Sequence, residues 1–214
     1  MDKGKRSTGK PVSLKQGYHH GDLKEALVQA ATALVAKTGP RGFSLSQACR
    51  LANVSPSAFY RHFTEKDALL AEVARRGFDD LTTRLQASRT DHCTSCAERL
   101  LAMATAYVEF SRSNPAIFRI MFASGIEKLK YEELRASAGN AFEQLLEEIQ
   151  IAQNEQLLYP GDSEQFAMTV WSTAHGVAML AVDSAKDERF SDLSIASVQA
   201  ILKPTIDGLI SDKR

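Results

Sequence analysis

Apolar residues recur along this chain with the spacing of an α-helix, and no stretch sustains the two-residue alternation of a half-buried strand. Leu23, Leu27, Ala30, Ala31, Leu34 and Val35 fall on one helical face. Asp22 is placed to cap that helix, and Gly39-Pro40 to stop it. Ser44 is placed to cap a short second helix, about Leu45 to Ala52, which Asn53 ends because asparagine tolerates the left-handed backbone of a tight turn. Ser55-Pro56 opens a third, with proline in the first turn where its missing N–H costs nothing. Thr64, with Asp67 three residues on, is placed to cap a fourth that carries Leu69, Leu70, Val73, Leu81 and Leu85.

The pattern stays helical to the C-terminus. Residues 94–113 carry Leu100, Met103, Ala104, Tyr107 and Val108 on one face, and Asn114-Pro115 restarts a short apolar helix, Ile117 to Phe122. Residues 128–156 predict a long amphipathic helix through Leu134, Phe142, Leu145, Leu146 and Ile149. Two further helices are expected over 163–185 and over 194–211, where Pro204 should introduce a kink. The sum is an all-α protein of about nine helices. The last two carry more apolar surface than one stripe can bury. Ala174, Val177, Ala178, Ala181 and Val182 of the first, with Ile195, Val198, Leu202, Ile206 and Leu209 of the second, suit a homodimeric four-helix bundle.

Charge changes this picture. The chain of 214 residues has no net charge, yet residues 1–66 hold 11 basic and 4 acidic side chains, so a +7 head sits on a −7 body. That asymmetry fits one end meeting a polyanion. No apolar run is long enough to span a bilayer, the first ten residues carry no signal-like apolar segment, and three cysteines suit a reducing cytosol rather than a disulfide scaffold. Residues 1–17 read as a disordered basic arm, 18–66 as a three-helix basic head suited to a polyanion, 67–88 as a connecting helix, and 89–214 as a helical body whose last helices suit dimerisation.

Two short helices joined by a tight turn inside a basic head describe a helix-turn-helix. Cys49 suits the close helix contact, Val54 the post-turn anchor, and Phe59 and Phe63 the core. Ser55, Ser57, Ala58, Tyr60, Arg61 and His62 are left for a DNA groove. The run from Ser44 to Ser55, then Phe59-Tyr60-Arg61-His62-Phe63 and Lys66-Asp67-Ala68-Leu69-Leu70, resembles the TetR family of bacterial repressors. Tyr18-His19-His20-Gly21-Asp22-Leu23 and Trp171-Ser172-Thr173-Ala174-His175-Gly176 resemble the subgroup whose C-terminal domain bears a Trp-His-Gly motif.

The resemblance implies a palindromic double-stranded DNA operator, a homodimer and a small-molecule effector. It implies phosphate contacts from Tyr60, Lys66 and Ser44, and puts Gln47, Ser57 and His62 toward bases or flanking phosphates. Ser46 stands where the subgroup often has a guanine-reading arginine, a bidentate contact that serine cannot make.

The body supplies Met103, Tyr107, Phe110, Phe118, Met121, Phe122, Phe142, Trp171 and His175 as candidate ligand contacts, because aromatic and thioether side chains make adaptable apolar pockets. The same residues also suit an ordinary helical core. Asp91-His92-Cys93-Thr94-Ser95-Cys96 offers a rival, redox- or metal-responsive reading. It lacks the second ligand pair of a structural zinc site, and no metal or other cofactor is expected. A helical protein without DNA-binding function would leave the +7 head unexplained. No phosphate-binding loop, nucleophile elbow or metalloprotease signature points to an enzyme.

Overall fold

The computed structural model describes residues 20–89, 95–122, 126–183 and 194–211, with side chains from Leu23 onward in the first helix. Within them lie nine α-helices: α1 (His20–Thr38), α2 (Leu45–Leu51), α3 (Pro56–Phe59), α4 (Lys66–Ser88), α5 (Cys96–Ser113), α6 (Pro115–Met121), α7 (Glu132–Asn154), α8 (Ser163–Asp183) and α9 (Ile195–Asp207). A 3-10 turn, Lys128–Lys130, precedes α7. The basic arm of residues 1–17 and the Asp91-His92-Cys93 part of the cysteine cluster lie outside the described residues.

Local chemistry accounts for several helix ends. Ser44 and Gln47 form a reciprocal capping box at α2, and Ser95 and Glu98 form another at α5. The Ser55 hydroxyl accepts from the Ala58 N–H at the start of α3, with Pro56 in the first turn. Asn53 takes the left-handed conformation, φ 55°, between α2 and α3. Gly39, φ 78°, does the same after α1, and a side chain at Gly42 would run into the Thr38 carbonyl.

Two expected caps differ. Helix α1 begins at His20, which places Asp22 inside it. Helix α4 begins at Lys66 with Glu65, not Thr64, at the N-cap and no side-chain cap bond. The Glu65 carboxylate instead accepts hydrogen bonds from Lys130 and Tyr131, across 65 and 66 residues. Those bonds hold its acid well below the usual carboxylate range.

One connected apolar core runs from Leu23 of α1 to Ile206 of α9. Helix α4 is its axis: it packs on α1 toward the N-terminal end of the chain and on α5, α6 and α7 in the body. Among the ten apolar residues expected at a dimer seam, Ala174, Val177, Ala178, Val182, Val198, Leu202 and Ile206 are buried within the single chain. Ala181 and Leu209 are half-buried, and Ile195 is exposed. Helices α8 and α9 are apolar on more than one side, and their inner sides pack on α5 and on each other. The outer sides leave Met179, Leu180, Ile195 and Ile201 in solvent. Helix α9 passes through Pro204 and continues to Asp207.

A charged cluster locks α1 to α4. Glu72, only 8% exposed, accepts from Arg75 at 2.9 Å and Arg76 at 2.9 Å and lies 3.1 Å from Lys24, while Arg76 also pairs with Glu25. Burial alone would raise the Glu72 acid; bonds from Arg75, Arg76 and Lys24 outweigh it and hold the group at about 2. A carboxyl depressed on folding contributes stability that is present above the unfolded value of 4.5 and is lost as pH falls toward 2. We expect wild type to lose about 2–3 kcal/mol over that window through this group. Glu72→Gln is expected to be less stable at neutral pH and to show a shallower acid slope. Urea unfolding at stepped pH measures it, and parallel slopes for the two proteins would refute the assignment.

Candidate nucleic-acid interface and ligand cavity

The α2–turn–α3 unit presents one polar face. Ser44, Ser46, Gln47, Ser55, Ser57, Tyr60 and Arg61 are exposed on it, and Ala58, His62 and Lys66 are half-buried. Its inner side is held by Ala48, Cys49, Phe59 and Phe63, all buried, with Val54 half-buried after the turn. Tyr60 stands edge-on to Phe59, ring centroids 5.4 Å apart, and leaves 60% of its surface in water. Helix α3 is a single turn, but backbone bonds from His62 and Phe63 to Phe59 extend the helical winding to Phe63.

Hydrogen bonding within this face decides what each residue still has to offer. The Gln47 Oε1 accepts from the Ser44 N–H at 2.7 Å, so its side-chain NH₂ is the group left to donate. The Ser55 and Ser57 hydroxyls bond each other at 2.9 Å. Lys66 donates to the Phe43 carbonyl at 2.9 Å and lies over the Phe43 ring, 4.5 Å from its centroid. Two ammonium hydrogens stay available, and the stem is fixed in position.

In the body, a cavity of about 220 Å³ lies among α4, α5, α7 and α8. Met103, Tyr107, Phe122, Phe142 and Trp171 line it, together with Phe78, Leu81 and Leu85 of α4 and Lys128 from the 3-10 turn. Phe110, Phe118 and Met121 do not line it; they are completely buried in the core beside it. His175 stands behind the wall, stacked on Trp171 with centroids 5.0 Å apart and sharing a 2.8 Å hydrogen bond with the Tyr107 hydroxyl. Burial, with the nearby Lys128 charge, pushes the imidazole below its ordinary value. Burial likewise pushes the Tyr107 phenol up.

Sequence reasoning missed the α4 wall and Lys128. Leu81 and Leu85 had a signal, the apolar stripe of α4, which says that they are buried but not against what. Lys128 had none, since a lysine at the start of the helix expected over 128–156 reads as solvated surface. The cysteine cluster contributes one described thiol: Cys96 is buried, and burial next to the Glu148 charge pushes it up to about 11, away from thiolate chemistry. Among the described residues, no group of three metal-ligating side chains converges, and no helix is long and apolar enough to cross a membrane.

With this geometry in hand, comparison with known proteins is direct. Residues 27–73 match the family of bacterial regulatory proteins described as tetR, and residues 100–203 match the tetracyclin repressor-like C-terminal domain. The HTH-type transcriptional regulator YobS of Bacillus subtilis is 32% identical over 98 residues, 46% of this chain and 50% of that protein. The match thus spans about half the length of that curated relative. A protein of unknown function from Rhodococcus sp. RHA1 has the same fold, with TM-score 0.76 and 28% identity over 92% of this chain and all of the other. The TetR family regulator PfmR of Thermus thermophilus, at 15% identity, shares the fold with TM-score 0.64 over 85% of this chain and 94% of its own. The two matched stretches take in the α2–α3 unit and most of the cavity-bearing body, and the chain belongs to the TetR family of bacterial transcriptional regulators.

Proposed function

We propose that this protein is a homodimeric, effector-responsive repressor that binds a palindromic operator in the bacterial cytoplasm through α2 and α3. The observation that carries this reading is the exposed polar face of the α2–α3 unit at the basic end of the chain, with Lys66 fixed at its edge. Ser44, Tyr60 and Lys66 hold phosphates. The Gln47 amide, Ser57 and His62 face the groove, with Ser46, Ser55, Ala58 and Arg61 around them. Residues 89–214 form the sensing and dimerising unit, and α4 joins the two.

Helix α4 supports the coupling, because one rigid element begins at the DNA face with Lys66 and ends in the cavity wall with Phe78, Leu81 and Leu85. An effector that tilts α4 spoils the spacing of about 34 Å between two recognition helices on adjacent major-groove turns. A hundredfold loss of operator affinity requires a preference of about 2.7 kcal/mol for the DNA-free form. Trp171, the sole tryptophan, lines the cavity and reports occupancy by its emission.

Lys66→Met tests the docking face. It keeps the stem over Phe43 and deletes one charge. Gel-shift titration on DNA flanking the protein's own gene is expected to show weaker binding to specific and unrelated sequences alike. The slope of log affinity against log salt should fall by about one unit. Unchanged affinity and slope would reject this face.

A further inference from the structure

The cavity wall is mostly apolar and carries one cationic side chain, which no acidic group among the described residues neutralises. Lys128 is half-buried at the wall, and its ammonium stands 5.2 Å from the ring centroids of both Phe78 and Phe122. Among the described residues it has no ion-pair partner, although its neighbour Lys130 has one in Glu65. The Tyr107 hydroxyl, also on the wall, is committed to His175. An imidazole is neutral or cationic, so His175 offers no counter-charge.

We infer that the effector is a compact amphiphilic monoanion, such as an aryl or alkyl carboxylate, whose apolar body fills this cavity and whose anionic group pairs with Lys128. This rests on the proposed effector role of the cavity and names the chemical class it takes. A volume of about 220 Å³ sits just under the range of about 300–1,000 Å³ typical of drug-sized ligands, so the body is small. A neutral apolar molecule would fill the same space but leave the lysine with only ring faces for company. A second cation would meet like charge. An anion converts a lone, half-buried ammonium between two ring faces into a charge-assisted pair and so offsets the cost of its burial.

The position also links to the DNA face. Two and three residues after Lys128, Lys130 and Tyr131 hold Glu65, the residue before Lys66. An anion that draws in Lys128 pulls on the same short segment that grips the start of α4.

The rival is a lysine that merely lays its stem over apolar surface with its head turned to water. Trp171 emission separates the two in titrations of the full chain at neutral pH with octanoate against octanol, and hydrocinnamate against hydrocinnamyl alcohol. Each carboxylate is expected to bind about tenfold or more tighter than its alcohol, and that advantage should shrink as salt is raised. Lys128→Met should erase the advantage and leave the alcohol affinities within about twofold, while Lys128→Arg should keep it. Equal affinities within each pair in the wild-type protein would overturn the inference and leave a neutral effector in the same cavity. Failure of all four probes to bind would overturn the effector role of the cavity as well. The wild-type comparison stands even if Lys128→Met does not fold.

Discussion

Leu180→Glu combined with Ile201→Glu is expected to give a folded monomer whose operator affinity is lower by about 100-fold or more. Both side chains lie on the outer faces of α8 and α9 and are 46% exposed, so charging them costs the single chain little. At a two-fold interface each substitution occurs twice, and four carboxylates then confront one another across an apolar seam. Met179 on α8 and Ile195 on α9 are further exposed apolar residues, and Gly176 has open space where a side chain would sit. On the proposed docking, a single head keeps its phosphate contacts but forfeits the second half-site, hence the size of the expected loss. Sedimentation or light scattering at micromolar protein, with a melting curve to confirm folding, decides the first part, and a gel shift the second. A variant that stays dimeric would place the interface elsewhere.

Glu148→Ala is expected to lower stability by about 3 kcal/mol and the melting temperature by about 6–12 °C. Glu148 is 2% exposed and accepts from Arg99 at 2.6 Å, with Arg89 at 3.2 Å. One carboxylate of α7 thereby ties the first turns of α5 to the residue that ends α4. Removing it leaves two guanidiniums beside a buried site, and their partial exposure, 23% each, keeps the cost at the low end for a broken buried pair. Circular dichroism melts measure it. A drop below about 2 °C would show that the arginines find water at no cost.

The helix-turn-helix was legible because its determinants act within about four residues. The Ser44 cap, the Ser55–Pro56 start and the left-handed Asn53 are local bargains between side chain and backbone, and spacing alone exposes them; the Gln47 half of the α2 box came only with the structure. The failures share the opposite property. Thr64 reads as a better cap than Glu65, yet α4 starts after Glu65, whose carboxylate is held by Lys130 and Tyr131 from the far side of the chain. Phe110, Phe118 and Met121 have the composition of a pocket and the burial of a core. Composition does not distinguish a wall from what lies behind it.

By itself, then, the sequence determined the all-α architecture, the order of the helices, the basic head and the family, because periodicity, capping and charge are properties of short segments. Tertiary structure decided which side of α8 and α9 remains open and which five of the nine proposed ligand residues meet at the cavity. It also decided that α4 and Lys128 complete the wall. Those outcomes depend on how helices far apart in sequence pack, and an apolar position shows only that it seeks burial, not its partner.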